Sequence, residues 1–249
     1  MSTEMPDTQK DGLIKTLFAA GAHFGYSKAR SHPSVKNYIF GFKNRSAVID
    51  LEQTVTGLEQ AKAFIKTLAS EGKQILLVGN KDEAKDAVRK AAERIDMPFV
   101  ASRWLGGTFT NFGQIKSRLD RLALLKEQRA SGELLEKYTK KERLLIDKEI
   151  TRLERYLGSL SNLGKLPAAV IVIDADQERI VVTEASQVGV PVISISGSDN
   201  DIRGIAYPIV ANDANTASIK LLLDELVGAY ELGRSQTPVI SNPISAATV

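Results

Sequence analysis

Apolar residues fall into two patterns along this chain. Short continuous runs occupy 74–79 (QILLVG), 98–101, 168–174 (AAVIVID) and 191–196. Between them lie longer stretches in which apolar residues recur every three or four positions. A short unbroken apolar run bounded by Gly or Pro is what a strand buried on both faces requires. Recurrence at three and four marks a helix with one inward face.

Leu13, Ile14, Leu17, Phe18 and Ala22 predict a short helix before Gly21, and 47–51 a short strand. Thr56 and Glu59 have the spacing of a capping box. They would open a helix with Leu58, Ala61, Ile65 and Leu68 facing inward, stopped by Gly72. Asn80-Lys81-Asp82 turns into a helix carrying Ala84, Ala87, Val88 and Ala91. A helix over 180–188 ends at Gly189, and 207–210 is a short strand. A last helix over 216–232 presents Ile219, Leu222, Leu223 and Leu226, with Gly233 as its stop.

The period changes in the middle. Phe112, Ile115, Leu119, Leu122 and Leu125 form one stripe, and Ser131-Gly132 breaks it. Leu144 or Leu145, then Ile146, Ile150, Leu153 and Leu157, form a second. Two narrow stripes with charged outer faces predict an antiparallel helical hairpin that protrudes as a coiled coil. Strands alternating with helices imply a parallel sheet covered on both faces. The expected fold is a doubly wound, flavodoxin-like α/β body over 12–108 and 159–233, with the hairpin inserted at 109–158. The segments 1–11 and 234–249 read as disordered tails.

Composition narrows the chemistry. The chain has no cysteine, which excludes disulfides, thiolate metal sites and a cysteine nucleophile. No apolar run approaches the roughly 20 residues that span a bilayer. The polar start lacks the layout of a signal peptide, so a cytoplasmic protein is expected. The net charge of +3 hides an uneven layout. Residues 28–45 hold five basic side chains and no acidic one, 103–165 carry net +6, and 196–249 carry net −3. A basic front and middle point to a polyanion-facing side, although solvated Lys-rich helix faces are common.

Residues 21–46 have no clean period. Glycines and cations alternate there with Phe24, Tyr26, Tyr38, Phe40 and Phe42. A globular domain rarely keeps so long a loop unused. Aromatics among Lys and Arg suit RNA, because rings stack on bases while cations meet phosphate.

Other features resemble sites but carry ordinary explanations. Gly79-Asn80-Lys81 precedes a helix N-terminus yet lacks either phosphate-loop fingerprint. Lys81 there meets an RNA phosphate or points to solvent. Asp174 and Asp176 end a strand and read as turn residues, one capping the next helix. Asp199-Asn200-Asp201 reads as turn chemistry. His23 reads as a packed, hydrogen-bonded group and His32 as a surface contact; neither has a metal-site set. No nucleophile elbow occurs. No metal, cofactor or catalytic residue is therefore assigned.

The most distinctive segment is 99–112, FVASRWLGGTFTNF, which holds the only tryptophan. By its chemistry alone it is either a tight turn with Trp104 as a lid on the core, or a contact loop. Its RWLGGTFTNF resembles the signature of the bacterial small-subunit ribosomal protein S-two family. Gly21-Ala22-His23-Phe24-Gly25, Tyr38-Ile39-Phe40-Gly41 and Ile49-Asp50-Leu51 resemble that family's first block. Leu166-Pro167, Val170 to Asp174, Glu184-Ala185 and Gly189-Val190-Pro191-Val192 resemble its later strands. Tyr207-Pro208-Ile209, Asn212-Asp213-Ala214 and Ser218-Ile219-Lys220-Leu221 resemble its last block. Tyr26, the 196–202 loop and Val210-Ala211 depart from the family's His, Asp-Pro and Pro-Gly.

The resemblance implies the same α/β fold with an inserted arm. It implies a structural protein of the small (30S) ribosomal subunit that binds 16S ribosomal RNA and helps recruit ribosomal protein S-one. Neighbouring subunit proteins would be its other partners, with no membrane and no small-molecule substrate. Charge and motif position then nominate Lys28, Arg30, Lys36, Lys43 and Arg45 as phosphate contacts. Arg103 and Trp104 position the arm or touch RNA, and Lys116, Arg118 and Arg121 are candidates on the first arm helix. A nucleotide-binding enzyme and a protein-only adaptor working through the hairpin stay open beside this reading.

Overall fold

Helix α1 (Asp7–Ala19) leads into a small antiparallel sheet of β1 (Phe24–Ser27), β2 (Ile39–Lys43) and β3 (Ser46–Ile49), in the order β1-β3-β2. The structure, a computed structural model, describes residues 7–236. The stretch without a clean period is therefore a second sheet, with a 3-10 turn at Pro33–Tyr38. Its period was hidden because register shifts interrupt both strand pairings. A bulge moves side chains out of strict alternation.

Helix α2 (Leu51–Ser70) follows β3 directly. Asp50 is its N-cap, Oδ1 accepting from the Glu52 N–H at 3.0 Å. The helix thus starts before the Thr56/Glu59 pair. Thr56 lies inside it and donates its hydroxyl to the Glu52 carbonyl at 2.9 Å.

The main sheet contains β4 (Ile75–Val78), β5 (Phe99–Val100), β6 (Ala169–Ile173), β7 (Val192–Ser196) and β8 (Tyr207–Val210). All pairs are parallel, in the order β5-β4-β6-β7-β8. Counted within this sheet, the order is 2-1-3-4-5, the flavodoxin-like winding, which reverses between β4 and β6. Helices α3 (Asp82–Ile95) and α7 (Arg179–Val188) connect strands of this sheet, and α8 (Thr216–Ser235) follows β8.

Every residue of β4, β6 and β7 is buried, and alternate side chains feed two cores. Ile75, Leu77, Ile171, Ile173, Ile193 and Ile195 pack with α2, α3 and α8. Leu76, Val78, Val170 and Val172 pack with α7, Trp104 and Phe109. Strands buried on both sides need no polar face, which is why they read as unbroken apolar runs.

Between β5 and β6 come α4 (Phe112–Ala130), α5 (Glu133–Lys137) and α6 (Lys140–Leu157). Leu122 and Leu125 of α4 meet Ile150 of α6 in a small core of their own. Ile115, Leu119 and Leu157 join the main core instead. Arg121 pairs with Glu149, Lys126 with Glu154 and Arg129 with Asp147 across the two helices. Leu144 and Leu145 do not face inward; they are 56% and 58% exposed. Thr139 opens α6 with a capping box, its N–H donating to Glu142 Oε2 at 2.9 Å.

The two ends of the body also differ from the sequence-based expectation. Residues 7–11, assigned to a tail, are helical in α1. Helix α8 runs past Gly233 to Ser235. There, a Cβ at position 233 would collide with the Lys66 carbonyl and Ala69 of α2, so glycine serves close helix packing. The rest of the two predicted tails, 1–6 and 237–249, lies outside the described residues.

Candidate nucleic-acid interface

The small sheet carries the first set of predicted contacts. Asn44 and Arg45, at φ 50° and 68°, form the two-residue turn between β2 and β3. Positive φ at both central residues matches the strand twist, and it leaves Arg45 exposed at the tip beside exposed Lys43. Lys28 lies 5.5 Å from the centre of the Phe42 ring. Lys36 is exposed on the 3-10 turn. Among the described residues, Lys28, Lys36, Lys43 and Arg45 have no salt-bridge partner, whereas Arg30 stacks on Tyr26 and lies 3.7 Å from Asp199. Phe40, on β2 of the same sheet, is 82% exposed.

Hydrogen bonds hold this basic unit over the carboxyl end of the parallel sheet. The Tyr26 N–H donates to Ser198 Oγ at 2.8 Å, and the His32 N–H donates to the Ser198 carbonyl at 2.9 Å. Ser34 Oγ accepts from the Ile202 N–H at 3.2 Å. The 196–202 loop is thus a docking seat as well as a turn. His32 contributes through Nδ1, 2.8 Å from Ser34 Oγ. His23 instead lies between the rings of Phe18 and Phe24, with ring centres at 4.2 and 4.0 Å. Burial lowers its pKa, and among the described residues no hydrogen-bond partner reaches its Nδ1.

Beneath the small sheet is the switch-point crevice, where doubly wound proteins bind ligands. The chain's own side chains fill it. Lys81 does not point into open solvent: Nζ donates to Asp174 Oδ2 at 3.0 Å and lies 3.3 Å from Asp213 Oδ2. Tyr26 Oη is 3.4 Å away, and Asn200 Nδ2 donates to Asp174 Oδ1 at 3.1 Å. Asp174 Oδ1 also accepts the Gln177 N–H at 3.0 Å, as a turn residue does, but the residue caps no helix and its other oxygen serves as a buried counterion. Burial alone would depress the Lys81 pKa, but Asp213 and Asp174 outweigh it and raise the value. Burial and the neighbouring Asp174 push Asp213 up to about 7. Glu178 accepts the Asn80 N–H at 2.9 Å, so the turn after β4 is closed off as well.

The tryptophan segment is organised by a residue absent from the predicted contacts. Glu184, buried on α7, accepts from the N–H groups of Gly107 at 2.7 Å and Phe109 at 2.9 Å. It also accepts from Trp104 Nε1 at 3.3 Å and the Thr110 N–H at 3.4 Å. Trp104 is 5% exposed and meets Phe109 edge-on at 5.0 Å. Its structure is that of a lid on the core. Glu184 was legible as an anomaly, a carboxylate on the same helix face as Val181 and Ala185. Arg103, Lys116 and Arg118 are exposed; Arg121 faces Glu149 at 3.4 Å.

The fold is a doubly wound α/β body whose switch-point crevice is filled by its own side chains, with a basic sheet docked over it and a helix pair inserted after the tryptophan loop. The family model described as "Ribosomal protein S2" matches residues 17–233. Small ribosomal subunit protein uS2 of Corynebacterium urealyticum is 39% identical over 221 residues, covering 89% of this chain and 82% of that one. The protein of the same name from Acidothermus cellulolyticus is 39% identical over 220 residues, covering 88% and 80%. The chain belongs to the ribosomal protein S2 family, and so is a structural protein of the small ribosomal subunit in the cytoplasm. No helix among the described residues is long and apolar enough to cross a membrane.

Proposed function

We propose that the protein binds 16S ribosomal RNA through the small sheet and helps seat ribosomal protein S-one on the subunit. One observation carries the RNA reading. Lys28, Lys36, Lys43 and Arg45 are exposed on the small sheet and its 3-10 turn without salt-bridge partners among the described residues, and Lys28 lies over the exposed Phe42 ring. Cations left unneutralised beside an open ring suit phosphate contact with a stacked base. Arg30 joins them at the edge of the patch. The body, 12–108 and 159–233, acts as a rigid holder, and 109–158 projects from it as an arm, with Arg103, Trp104, Lys116 and Arg118 toward its root and Arg121 further along it. The exposed rings of Phe18 and Phe24 support a protein contact for S-one or a neighbouring subunit protein. We assign no catalysis, because Lys81 with Asp174 and Asp213 occupies the crevice where this fold otherwise binds substrates.

The test combines subunit incorporation with RNA binding. The Lys28→Ala, Lys36→Ala and Arg45→Ala variant should fold, bind 16S ribosomal RNA weakly, and lower the slope of log affinity against log salt by about 3. On sucrose gradients it should leave the small subunit at lower salt than the unaltered chain. Unchanged binding and incorporation would refute this assignment.

A further inference from the structure

Three arginines from three elements line one cleft at the root of the helix pair. Arg103 comes from the loop after β5, Arg118 from α4 and Arg152 from α6. With Trp104, Leu153 and Tyr156 they enclose a cavity of about 320 Å³. Among the described residues, no acidic side chain lines it. Further along the same helices, Arg121, Lys126 and Arg129 each face a carboxylate on α6. Among the described residues, no salt bridge reaches Arg103, Arg118 or Arg152.

Like charges gathered in one concave site repel, so the arrangement favours an anion. Guanidinium groups present planar forks that match phosphate oxygens. The site is also rigid on one side. Glu184 fixes Trp104, and Leu157 and Ile115 tie both helices into the main core. We propose that this cleft binds a phosphodiester group of RNA, with the Tyr156 ring beside the adjoining nucleotide. The proposal rests on the RNA-binding reading and adds to it a second site, of which charge and motif position nominated Arg103, Trp104 and Arg118 but not Arg152.

Trp104 is the only tryptophan and lines this cleft, so its emission responds to what binds there. The experiment uses the full chain, fluorophore-labelled 16S ribosomal RNA for affinity and an oligouridylate for the Trp104 signal. RNA should bind the unaltered chain, and the oligouridylate should change Trp104 emission. The double variant Arg118→Gln, Arg152→Gln should melt at the same temperature and lose the emission change. Its RNA affinity should fall about tenfold, with a salt slope lower by about 2. RNA affinity that is unchanged in the double variant, with Trp104 silent in both chains, would overturn the cleft and leave the small-sheet reading standing. An emission change produced by polyglutamate and not by RNA would overturn it in favour of an acidic protein partner. No RNA binding by the unaltered chain would sink the RNA reading and the cleft together.

Discussion

The Glu184 carboxylate joins the Trp104 indole N–H, at 3.3 Å, to the backbone of the loop around it. Its two oxygens accept from residues 104, 107, 109 and 110. Those N–H groups are buried or half-buried, and a buried donor without a partner costs about 1–3 kcal/mol. One side chain on α7 thereby sets the geometry of the segment from which the helix pair departs.

Glu184→Gln keeps the shape and replaces one acceptor oxygen with a donor. The amide must then face backbone N–H groups. Stability should fall by about 3 kcal/mol. Denaturant unfolding followed by Trp104 emission measures this directly, and the native spectrum should shift to the red. A change below about 0.5 kcal/mol would show that the loop holds itself.

Two glycines of α8 should respond in opposite directions. At Gly233 a methyl group meets the Lys66 carbonyl of α2, so Gly233→Ala should destabilise by about 1–3 kcal/mol. At Gly228 an added methyl group would find no atom within 4 Å, so Gly228→Ala should stabilise by about 0.5–1 kcal/mol. Paired melting curves decide it.

Asp213 makes stability depend on pH. One ammonium, Lys81, faces both Asp174 and Asp213, and the buried Asp213 holds its proton up to about 7. The folded chain then binds that proton more tightly than the unfolded chain does. The stabilisation is complete below the unfolded carboxylate value near 3.8 and fades as pH rises through about 7. Asp213→Asn should remove this slope, worth at most about 4 kcal/mol. Melting temperatures between about pH 4 and pH 8 should fall less in the variant. Asp174 shifts the other way, lowered through the Gln177 N–H and Lys81 against the effect of burial, so its loss belongs below the ordinary carboxylate range.

The capping box at Thr139 should matter only locally. Thr139→Ala removes the side-chain acceptor of the Glu142 N–H and the hydroxyl contact to Glu142 Oε2. Such a loss costs about 1 kcal/mol. Hydrogen exchange should quicken in the first turn of α6 and stay unchanged in α2 and α8. Faster exchange throughout the body would show that the helix pair unfolds together with it.

What the sequence determined by itself is the set of elements whose burial is periodic. The strands 75–78, 169–173 and 192–196 are buried on both faces, so they read as apolar runs wherever they end up in the sheet. The stripes Ile115–Leu119–Leu122–Leu125 and Ile150–Leu153–Leu157 predicted a helix pair for the same reason. Tertiary structure alone decided which polar residues go inside. Lys81 reads as a surface cation until Asp174 and Asp213, from distant loops, close around it. Glu184 needs a loop 74 to 80 positions away to satisfy it. Gly233 reads as a helix stop until α2 packs against it. Leu144 and Leu145 fit a helical stripe and still face outward, because the partner helix covers only one narrow face. Local period encodes how much of an element is buried; the partner that buries it is set by chain topology, which no short window contains.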